Sequence, residues 1–473
     1  MSFYNFVSKN TYGRIVAGGF YFIVTVLILS WVAFYNKFPL LYSDSGTYLG
    51  ASTSLFPPVD RVIGYSFFIR WVTWQATTWT IVLFQNLIIS FIIFMFLKLF
   101  FKNKQLIGFH LLTIVVLTLC SSLCWFSCQI MPDIFTPALV LTLIVFLVSE
   151  RIPKVTFIVY LFLLFVFIIS HLSNVILIFF LLGSIIIFCL IKRKPKGIYA
   201  RIKLRSYVLL LLGVFSVLFI MTYNYTHTRG FRTSTSTNIF LVAKFDNTGL
   251  LKMYLDDNCH TNTECVLCKY KDSLPPSSNA FLWGSRSPLY SYKEPNNIDS
   301  SWSKADALYA PVVSDILHTP KYYPKLIKDA IYGTLIELVS LRMKTWEVAF
   351  RKNSAPYYAY RDKFSNELES FTNSLQNNNK LHFEVWEMVN RIAVIISLIV
   401  IVCGMLYVKP DFVLYVSTAI IMLGILFNAF ITSTLSVIDD RYQSRIVWLV
   451  PLLGIVYCIK IVVKLVAKRQ KTK

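Results

Sequence analysis

The chain has 473 residues, of which 56% are hydrophobic, 16% aromatic and only 15% charged, and its formal net charge is +22. This composition excludes a disordered chain, a collagen-like chain and a small disulfide scaffold. The apolar residues form blocks of about 15–24 between short charged loops, the length that a hydrocarbon core about 30 Å thick requires. The sequence therefore predicts an α-helical polytopic membrane protein.

Ten apolar blocks predict about ten transmembrane helices. No small-residue cleavage site follows the first block, so we expect an anchor and not a removed signal peptide. The spans define an N-terminal membrane module of about seven spans (1–222), a mostly helical extracytoplasmic domain (223–389) and a C-terminal membrane module of about three spans (390–473). The predicted spans are 15–34, 78–97, 106–126, 134–149, 155–170, 174–191, 206–222, 390–408, 412–430 and 446–463.

The distribution of Lys and Arg predicts the orientation of these spans. One set of loops, together with both termini, carries 21 Lys and Arg residues against two acids, a net charge of +19. The opposite side carries 25 against 22, a net charge of +3. We expect the basic side to be cytoplasmic, where its charges meet anionic lipid headgroups. The charge of +22 is thus explained by topology, and no nucleic-acid partner is expected.

Helical periodicity marks the second half of the extracytoplasmic domain. Apolar residues recur from Ala305 to Ile316 and again from Ile327 to Leu338 at the spacing of one helix face. The first half contains turn chemistry at Pro275 and Pro276, and we expect it to be loop-rich.

Three cysteines lie in the extracytoplasmic domain, in a compartment that should be oxidising. Cys265 and Cys268 form a Cys-x-x-Cys pair, and Cys259 lies just before them. One disulfide, a zinc site completed by His260, and free thiols are all open interpretations of this spacing.

Two acidic residues lie where the chain meets the outer membrane surface. Asp44 is in the first outer loop (35–77), within Tyr42-Ser43-Asp44-Ser45-Gly46, and Asp133 directly precedes the fourth span. Each suits a helix N-cap. Each also suits chemistry, because a carboxylate can activate a hydroxyl group or hold a divalent cation.

Basic residues are scarce on this side, so those at the mouths of spans need a reason. Salt bridges to Asp439 and Asp440 are one explanation for the two arginines that begin the last span. An anionic ligand is the other, since guanidinium groups form forked contacts to phosphate. A histidine between the fifth and sixth spans is either an interface residue or a phosphate contact. The residues concerned are Arg61, His171, Arg441 and Arg445.

The order and sidedness of these motifs resemble the GT-C glycosyltransferases, polytopic enzymes that use lipid-linked sugar donors. Asp44 resembles the catalytic acid of their first outer loop, although many relatives have an acidic pair where this loop has one Asp, with Asp60 its only other carboxylate. The other resembling motifs are Pro57-Pro58 with Gly64-Tyr65, Gln85 in the next span, Asp133, His318-Thr319-Pro320 with Tyr323, and Asp440-Arg441-Tyr442 followed by Pro451-Leu452-Leu453.

The resemblance implies a GT-C-like fold and an inverting sugar transfer from a polyprenyl-phosphate-linked donor to an extracytoplasmic glycan, lipid or protein. Asp44 would remove the proton of the acceptor hydroxyl. No cofactor is implied with certainty, but a divalent cation, Mg²⁺ or Mn²⁺, would bind at Asp133. The implied donor-phosphate residues are Arg441, Arg445, His171 and Arg61, and the implied substrate-lining residues are Tyr48, Tyr65 and Tyr442.

Two other functions fit the same outline. An O-antigen ligase or polysaccharide polymerase-like enzyme would place its functional residues in the large outer segment, at Arg286 and His318. A lipid or solute transporter would carry charges in mid-span and internal symmetry, whereas the centres of the predicted spans have no acidic residue. All three functions require an integral multi-pass protein. We expect it in a bacterial cytoplasmic (inner) membrane, with both termini cytoplasmic.

Overall fold

The computed structural model describes residues 11–191, 197–227, 229–260, 265–289, 298–343 and 348–471. Regular structure within these residues is helical, and short 3-10 turns cover Pro132–Ile134, Cys268–Tyr270, Pro320–Tyr322 and Ser365–Glu367. The α-helices are α1 (Thr11–Leu29), α2 (Trp31–Asn36), α3 (Ser45–Ser54), α4 (Gly64–Thr73), α5 (Trp79–Leu97), α6 (Asn103–Cys120), α7 (Leu123–Ser127), α8 (Phe135–Val148), α9 (Lys154–Ser170), α10 (Leu172–Ile191), α11 (Ile198–Thr226), α12 (Thr237–Asn247), α13 (Leu250–Asn258), α14 (Ser278–Trp283), α15 (Ile298–His318), α16 (Tyr323–Val339), α17 (Ala355–Lys363), α18 (Leu368–Thr372), α19 (Glu384–Val408), α20 (Phe412–Leu435), α21 (Asp440–Val447) and α22 (Leu449–Lys471).

Six helical stretches among the described residues are long and apolar enough to cross a bilayer, which gives the chain the character of an integral membrane protein. Four shorter apolar helices lie at the other four predicted span positions. The long stretches are Trp79–Leu97, Leu172–Ile191, Ile198–Thr226, Glu384–Val408, Phe412–Leu435 and Asp440–Gln470, and the shorter ones are Val16–Leu29, Gln105–Cys120, Pro132–Val148 and Lys154–Ser170.

Small residues let these helices approach closely. A Cβ atom on Gly404 of α19 would lie 2.5 Å from the ring of Tyr457 on α22, and one on Gly454 of α22 would lie 2.7 Å from Cβ of Ser397. In a membrane interior, where apolar burial gives little driving force, such close backbone approach gains the dispersion energy that holds helices together. Gly404 and Gly454 therefore allow α19 and α22 to pack closely against each other.

The segment predicted as one outer domain contributes to two hydrophobic cores. Residues between Ile239 and Tyr322 form a separate core from α12, α13, α14 and α15. Residues between Met343 and Phe383, including Tyr360 and Phe371, instead join the core of the membrane helices. The second part of the segment is therefore packed directly on the bundle, and it touches the loops that carry the candidate acids.

Backbone pairing places the first outer loop beside the stretch that precedes α8. Leu40 and Gln129 form an isolated parallel β-bridge, in which the amide of Leu40 donates to Cys128 O over 2.9 Å and the amide of Ile130 donates to Leu40 O over 2.9 Å. The hydroxyl of Ser45 donates to Ile130 O over 2.8 Å. These hydrogen bonds hold the segments that lead to Asp44 and to Asp133 side by side.

Amide side chains fix the same loop from two further directions. Gln376 accepts a hydrogen bond from the amide of Leu41 over 3.0 Å and donates to its carbonyl over 2.8 Å, as a neighbouring strand would. Gln85 of α5 donates to the carbonyls of Ser127 and Gln129 over 2.9 and 3.0 Å. The polar side chain predicted inside the second span thus satisfies buried backbone groups at the edge of the bundle.

A close contact joins α3 to α17. A Cβ atom on Gly46 would lie 2.3 Å from the carbonyl carbon of Ala355, so only glycine allows these two backbones to meet. Gly50, one turn further along α3, has open space where its Cβ would point. The helix α3, which directly follows Asp44, therefore packs against the start of α17.

The cysteine interpretation is decided by one bond. Cys259 and Cys268 form a disulfide, which confirms the prediction of one bridge and rules out the zinc site that needed both thiolates. Cys265 is a half-buried free thiol.

The outer segment is more helical than predicted. Its first half, predicted to be rich in loops, contains α12 and α13, and the two helices predicted in its second half are present as α15 and α16.

We predict that Gly46→Ala destabilises the protein by about 1–3 kcal/mol, because the added methyl group overpacks a contact between two backbones. Thermal unfolding of the purified protein in detergent measures this as a lowered Tm. Gly50→Ala is the matched control on the same helix and should leave Tm unchanged or slightly raised. Equal Tm values for the two variants would contradict the packing described for α3 and α17.

Candidate functional site

Asp44 lies at the N-terminus of α3, but its side chain makes no capping hydrogen bond. Its carboxylate instead pairs with Arg61, whose Nη2 lies 2.7 Å from Oδ1. Asp60 lies 3.8 Å from the same guanidinium nitrogen. The side chains of Asp44 and Arg61 are 16% and 19% exposed, so this end of the cluster is open to solvent. The N-cap explanation for Asp44 is replaced by an ion pair within the first outer loop.

Arg441 links the two predicted acids. Its Nη1 lies 3.6 Å from Oδ2 of Asp44, and its Nε lies 3.9 Å from Oδ1 of Asp133. The guanidinium also lies over the ring of Tyr42, 4.0 Å from the centroid, and over that of Tyr442 at 4.9 Å. Ring faces and carboxylates both favour a cation here, and together they compensate for its nearly complete burial.

Arg445 and Asp133 form a fully buried pair behind Arg441. Nη1 of Arg445 donates to Oδ1 of Asp133 over 3.0 Å, and both side chains are 0% exposed. Nη2 donates to Asn428 over 2.8 Å and to Ser173 over 3.1 Å. These contacts place Arg445 in a structural position, away from open space, whereas Arg441 and Arg61 lie nearer to it.

Three contacts hold α21, the short helix that carries both arginines. Asp439 caps the helix, since its carboxylate accepts from the amide of Arg441 over 3.0 Å. The amide of Asp439 in turn donates to Glu337 of α16 over 3.1 Å. The hydroxyl of Ser444 donates to Arg342 O over 2.8 Å. Salt bridges to Asp439 and Asp440 are one of two explanations for these arginines; in the structure Asp439 caps α21, and the arginines pair with Asp44 and Asp133.

The pKa of Asp44 reflects two opposing effects. Burial of the carboxyl group raises it, but Arg61 and Arg441 lower it by more, so the pKa lies below the ordinary value of 3.8. Burial lowers the pKa of Arg61, but Asp44 and Asp60 raise it by more, so it lies above its ordinary value. Asp44 is therefore an anion at neutral pH, and it is held next to two permanent cations.

His171 does not contribute a charge to the cluster. Burial is the main cause that lowers its pKa to about 3; the charge of Arg445 also lowers this pKa, and Asp133 opposes it. Its Nδ1 lies 2.7 Å from the hydroxyl of Ser173, a partner that it shares with Arg445. The imidazole is neutral at neutral pH, so it can serve as a hydrogen-bonding group in this site but not as a phosphate-neutralising cation.

The three predicted tyrosines have different surroundings. Tyr48 and Tyr65 are buried in the core, with their rings 5.1 Å apart, and the hydroxyl of Tyr65 donates to Gln85 over 2.6 Å. Tyr442 is half-buried and lies beneath both guanidinium groups of α21. Tyr442 lies against the guanidinium groups of α21, Tyr48 lies close enough to Arg61 and Asp44 to interact with their charges, and Tyr65 packs behind Tyr48.

The surroundings of Asp133 do not fit a divalent cation. Two guanidinium groups already lie within 4 Å of Oδ1, and a metal ion would have to bind against both positive charges. Among the described residues, no group of three or more His, Cys, Asp or Glu side chains is arranged to hold a metal. We therefore derive no step through a metal ion.

A cavity of about 370 Å³ lies beside the solvent-exposed end of the cluster. Thr47, three residues after Asp44, and Asp60 are in its wall, and Trp283 and Trp302 line it from the outer segment with ring centroids 5.3 Å apart. Its volume falls within the range of about 300–1,000 Å³ that is usual for ligand sites. Both tryptophans were missed from the sequence, because nothing in the helices that carry them, α14 and α15, indicates that they meet the first outer loop. Arg229 lies in the same wall.

We predict that Arg445→Met lowers the free energy of unfolding by about 3–5 kcal/mol, because it leaves the charge of Asp133 buried without its closest partner. Thermal unfolding in detergent measures this change. Adding Asp133→Asn to the same chain should restore much of the lost stability, since the uncompensated charge is then gone. A double variant that is as unstable as the sum of the two single variants would refute the buried pair.

The charged cluster joins residues from both ends of the chain, and the cavity beside it lies between the first outer loop and the outer segment. No protein-family model, curated protein or solved structure matches the chain. The function is therefore inferred from the chemistry of these residues.

Proposed function

We propose that the chain is a membrane glycosyltransferase that moves a sugar from a polyprenyl-phosphate-linked donor to an acceptor on the extracytoplasmic face, with inversion at the anomeric carbon. The observation that carries this proposal is the position of the ionised Asp44 between Arg61 and Arg441, beside a cavity with two tryptophans. A base, two cations and an aromatic surface are the groups that such a transfer requires.

Two guanidinium groups, the partly exposed one of Arg61 and the buried one of Arg441, suit the leaving phosphate. Arg61 and Arg441 pair directly with the partly buried Asp44, and each can turn a nitrogen from that carboxylate to a phosphate oxygen. Their charge would be most valuable as the glycosidic C–O bond breaks, because negative charge then grows on the phosphate. The lipid phosphate leaves as the anion that they stabilise.

Asp44 suits the role of the base. The acceptor hydroxyl oxygen attacks the anomeric carbon, the bond from that carbon to the phosphate oxygen breaks, and the hydroxyl proton passes to the Asp44 carboxylate. In the resting protein its low pKa makes this carboxylate a weak base. A bound phosphate would share the charge of Arg61 and Arg441, which raises the pKa of Asp44 and makes proton transfer easier when the donor is present.

The cavity beside Asp60 suits the transferred sugar. Trp283 is 48% exposed and presents an aromatic ring to this space. The apolar faces of sugar rings pack well against aromatic rings, while Thr47 and Asp60 offer hydrogen-bond partners to hydroxyl groups. This cavity takes over the lining role that the sequence assigned to Tyr48 and Tyr65.

Membrane topology fits the same proposal. Ten spans would place both termini on the basic, cytoplasmic side of a bacterial cytoplasmic membrane and the cluster on the opposite face, where no nucleotide-sugar supply exists and a lipid-linked donor is required. The residues that a ligase-like enzyme would use give that alternative no support. Arg286 and His318 are exposed, and His318 hydrogen-bonds to its own helix at Ser314.

We predict that Asp44→Asn lowers sugar transfer by about 10²–10⁴-fold, the usual contribution of a positioned general base. The measurement is release of sugar from a panel of polyprenyl-phosphate sugars by the purified full-length protein. Asp272→Asn is the matched control, because this carboxylate is 90% exposed and pairs with Lys252 in the outer segment. Full transfer by a correctly inserted Asp44→Asn protein would remove Asp44 from the reaction.

We predict that Arg61→Gln moves the acid limb of the pH–kcat/KM profile to higher pH. In the unmodified protein the pKa of Asp44 lies below its ordinary value, which places its acid limb at the acid end of the profile. Removing Arg61 takes away the largest effect that lowers the pKa of Asp44 and leaves the burial that raises it. Arg361→Gln, an exposed arginine paired with Asp362, should not move the profile. An unshifted limb in Arg61→Gln would disprove the coupling.

A further inference from the structure

A second, larger cavity lies in the part of the outer segment that packs on the membrane helices. It is an open groove of about 1030 Å³, formed entirely by residues between Ala349 and Asn379. Eight of its twelve lining residues have polar or charged side chains, while Phe350, Leu368 and the half-buried Tyr357 add a comparable amount of apolar surface. None of the predicted site residues lies in it.

The groove is joined by contact to the loop that carries Asp44. The helix α17, which contributes Tyr357 to the groove, begins at Ala355, where Gly46 packs against the backbone. On the other wall, Asn377 follows Gln376, whose side chain holds both backbone groups of Leu41. Both walls are therefore anchored within a few residues of Asp44.

The walls have a fixed shape. The side chain of Asn377 accepts from the amide of Phe350 over 2.7 Å and donates to Phe371 O over 2.9 Å, which ties the two sides of the groove together. The hydroxyl of Ser354 caps α17 by accepting from the amide of Tyr357. A groove that keeps its shape without a ligand loses less conformational freedom when one binds.

The charges of the groove indicate the class of ligand. Arg351 and Lys352 are exposed cations in its lining, whereas Glu369 is the one acidic residue there. Two asparagines, Asn353 and Asn379, with a serine and a threonine supply hydrogen-bond donors and acceptors along the same surface. Cations favour an anion, and the density of amides and hydroxyls favours a ligand rich in hydroxyl groups over an acyl or prenyl chain.

We propose that this groove binds the acceptor, and that the acceptor is an anionic polyhydroxylated polymer, a saccharide or polyol chain that carries phosphate or carboxylate groups. The inference rests on the proposed function, because it gives the groove a task next to Asp44. One end of the bound polymer would extend past the contact of Gly46 and Ala355 and present a hydroxyl group to the carboxylate. The cavity of Trp283 and Trp302 would hold the donor sugar on the other side of α3.

Binding of a defined probe tests the groove without turnover. Fluorescently labelled poly(glycerol phosphate) and a neutral dextran of equal length are titrated with the full-length protein in detergent. We expect the anionic polymer to bind more tightly, and added salt to weaken it. Arg351→Gln with Lys352→Gln should weaken binding by about fivefold, the effect expected for two solvent-exposed charge contacts. Glu369→Gln should strengthen it. Lys363→Gln, an exposed lysine at the far end of α17 and outside the lining, is the matched control and should not alter it.

The outcomes separate this inference from the proposed function. Equal binding of dextran and the anionic polymer, or an equal effect of the groove variants and Lys363→Gln, would overturn the groove assignment even if Asp44→Asn abolishes transfer. Selective binding that the groove variants weaken and that Asp44→Asn retains would support it. If that binding occurs but no lipid-linked sugar donor is consumed, the groove assignment as a polyanion site stands and the glycosyltransferase proposal fails.

Discussion

Arg441 is a permanent cation with 5% of its side chain exposed, and it takes its two carboxylate partners from loops almost 90 residues apart in the sequence. A buried guanidinium is tolerated when partners surround it, and removal of one partner leaves a large desolvation cost. The first outer loop and the start of α8 must therefore meet at α21. The β-bridge of Leu40 with Gln129 and the cap at Asp439 both serve to hold that meeting point.

Charge balance gives the cluster two distinct ends. Asp133 and Arg445 neutralise one another out of reach of water, and a buried pair of this kind contributes more to a unique arrangement than to stability. Asp44 and Arg61 have the same complementarity but keep some exposure, so an incoming anion can exchange with the carboxylate as partner of the guanidinium. The buried pair of Asp133 and Arg445 thus has a structural position, and the partly exposed pair of Asp44 and Arg61 is the end at which an anion could bind. The boundary between them is Arg441.

Local pattern was enough to locate the apolar helices and to expect α15 and α16, because each is specified by periodicity within its own segment. Pattern also singled out Asp44, Asp133 and Arg441, whose charges are unusual for their positions. It could not give the pairs that Arg441 and Arg445 form with Asp44 and Asp133, since these join segments more than 300 residues apart. Tyr65 and Tyr360 are buried because of the helices that pack around them. The local pattern of apolar residues does not indicate which helices pack together.

The clamp on Leu41 has a consequence for the order in which the protein is assembled. The side chain that grips this residue comes from Gln376, which the ribosome supplies 335 residues later. The N-terminal spans can insert long before that, but the loop of Asp44 then lacks both the clamp and Arg441. During synthesis the N-terminal spans enter the bilayer before the partners of Leu41 and Asp44 exist. A chain truncated before α21 lacks Arg441 and Arg445 and therefore lacks the charged cluster. Synthesis of α21 is therefore the step that completes the charged cluster.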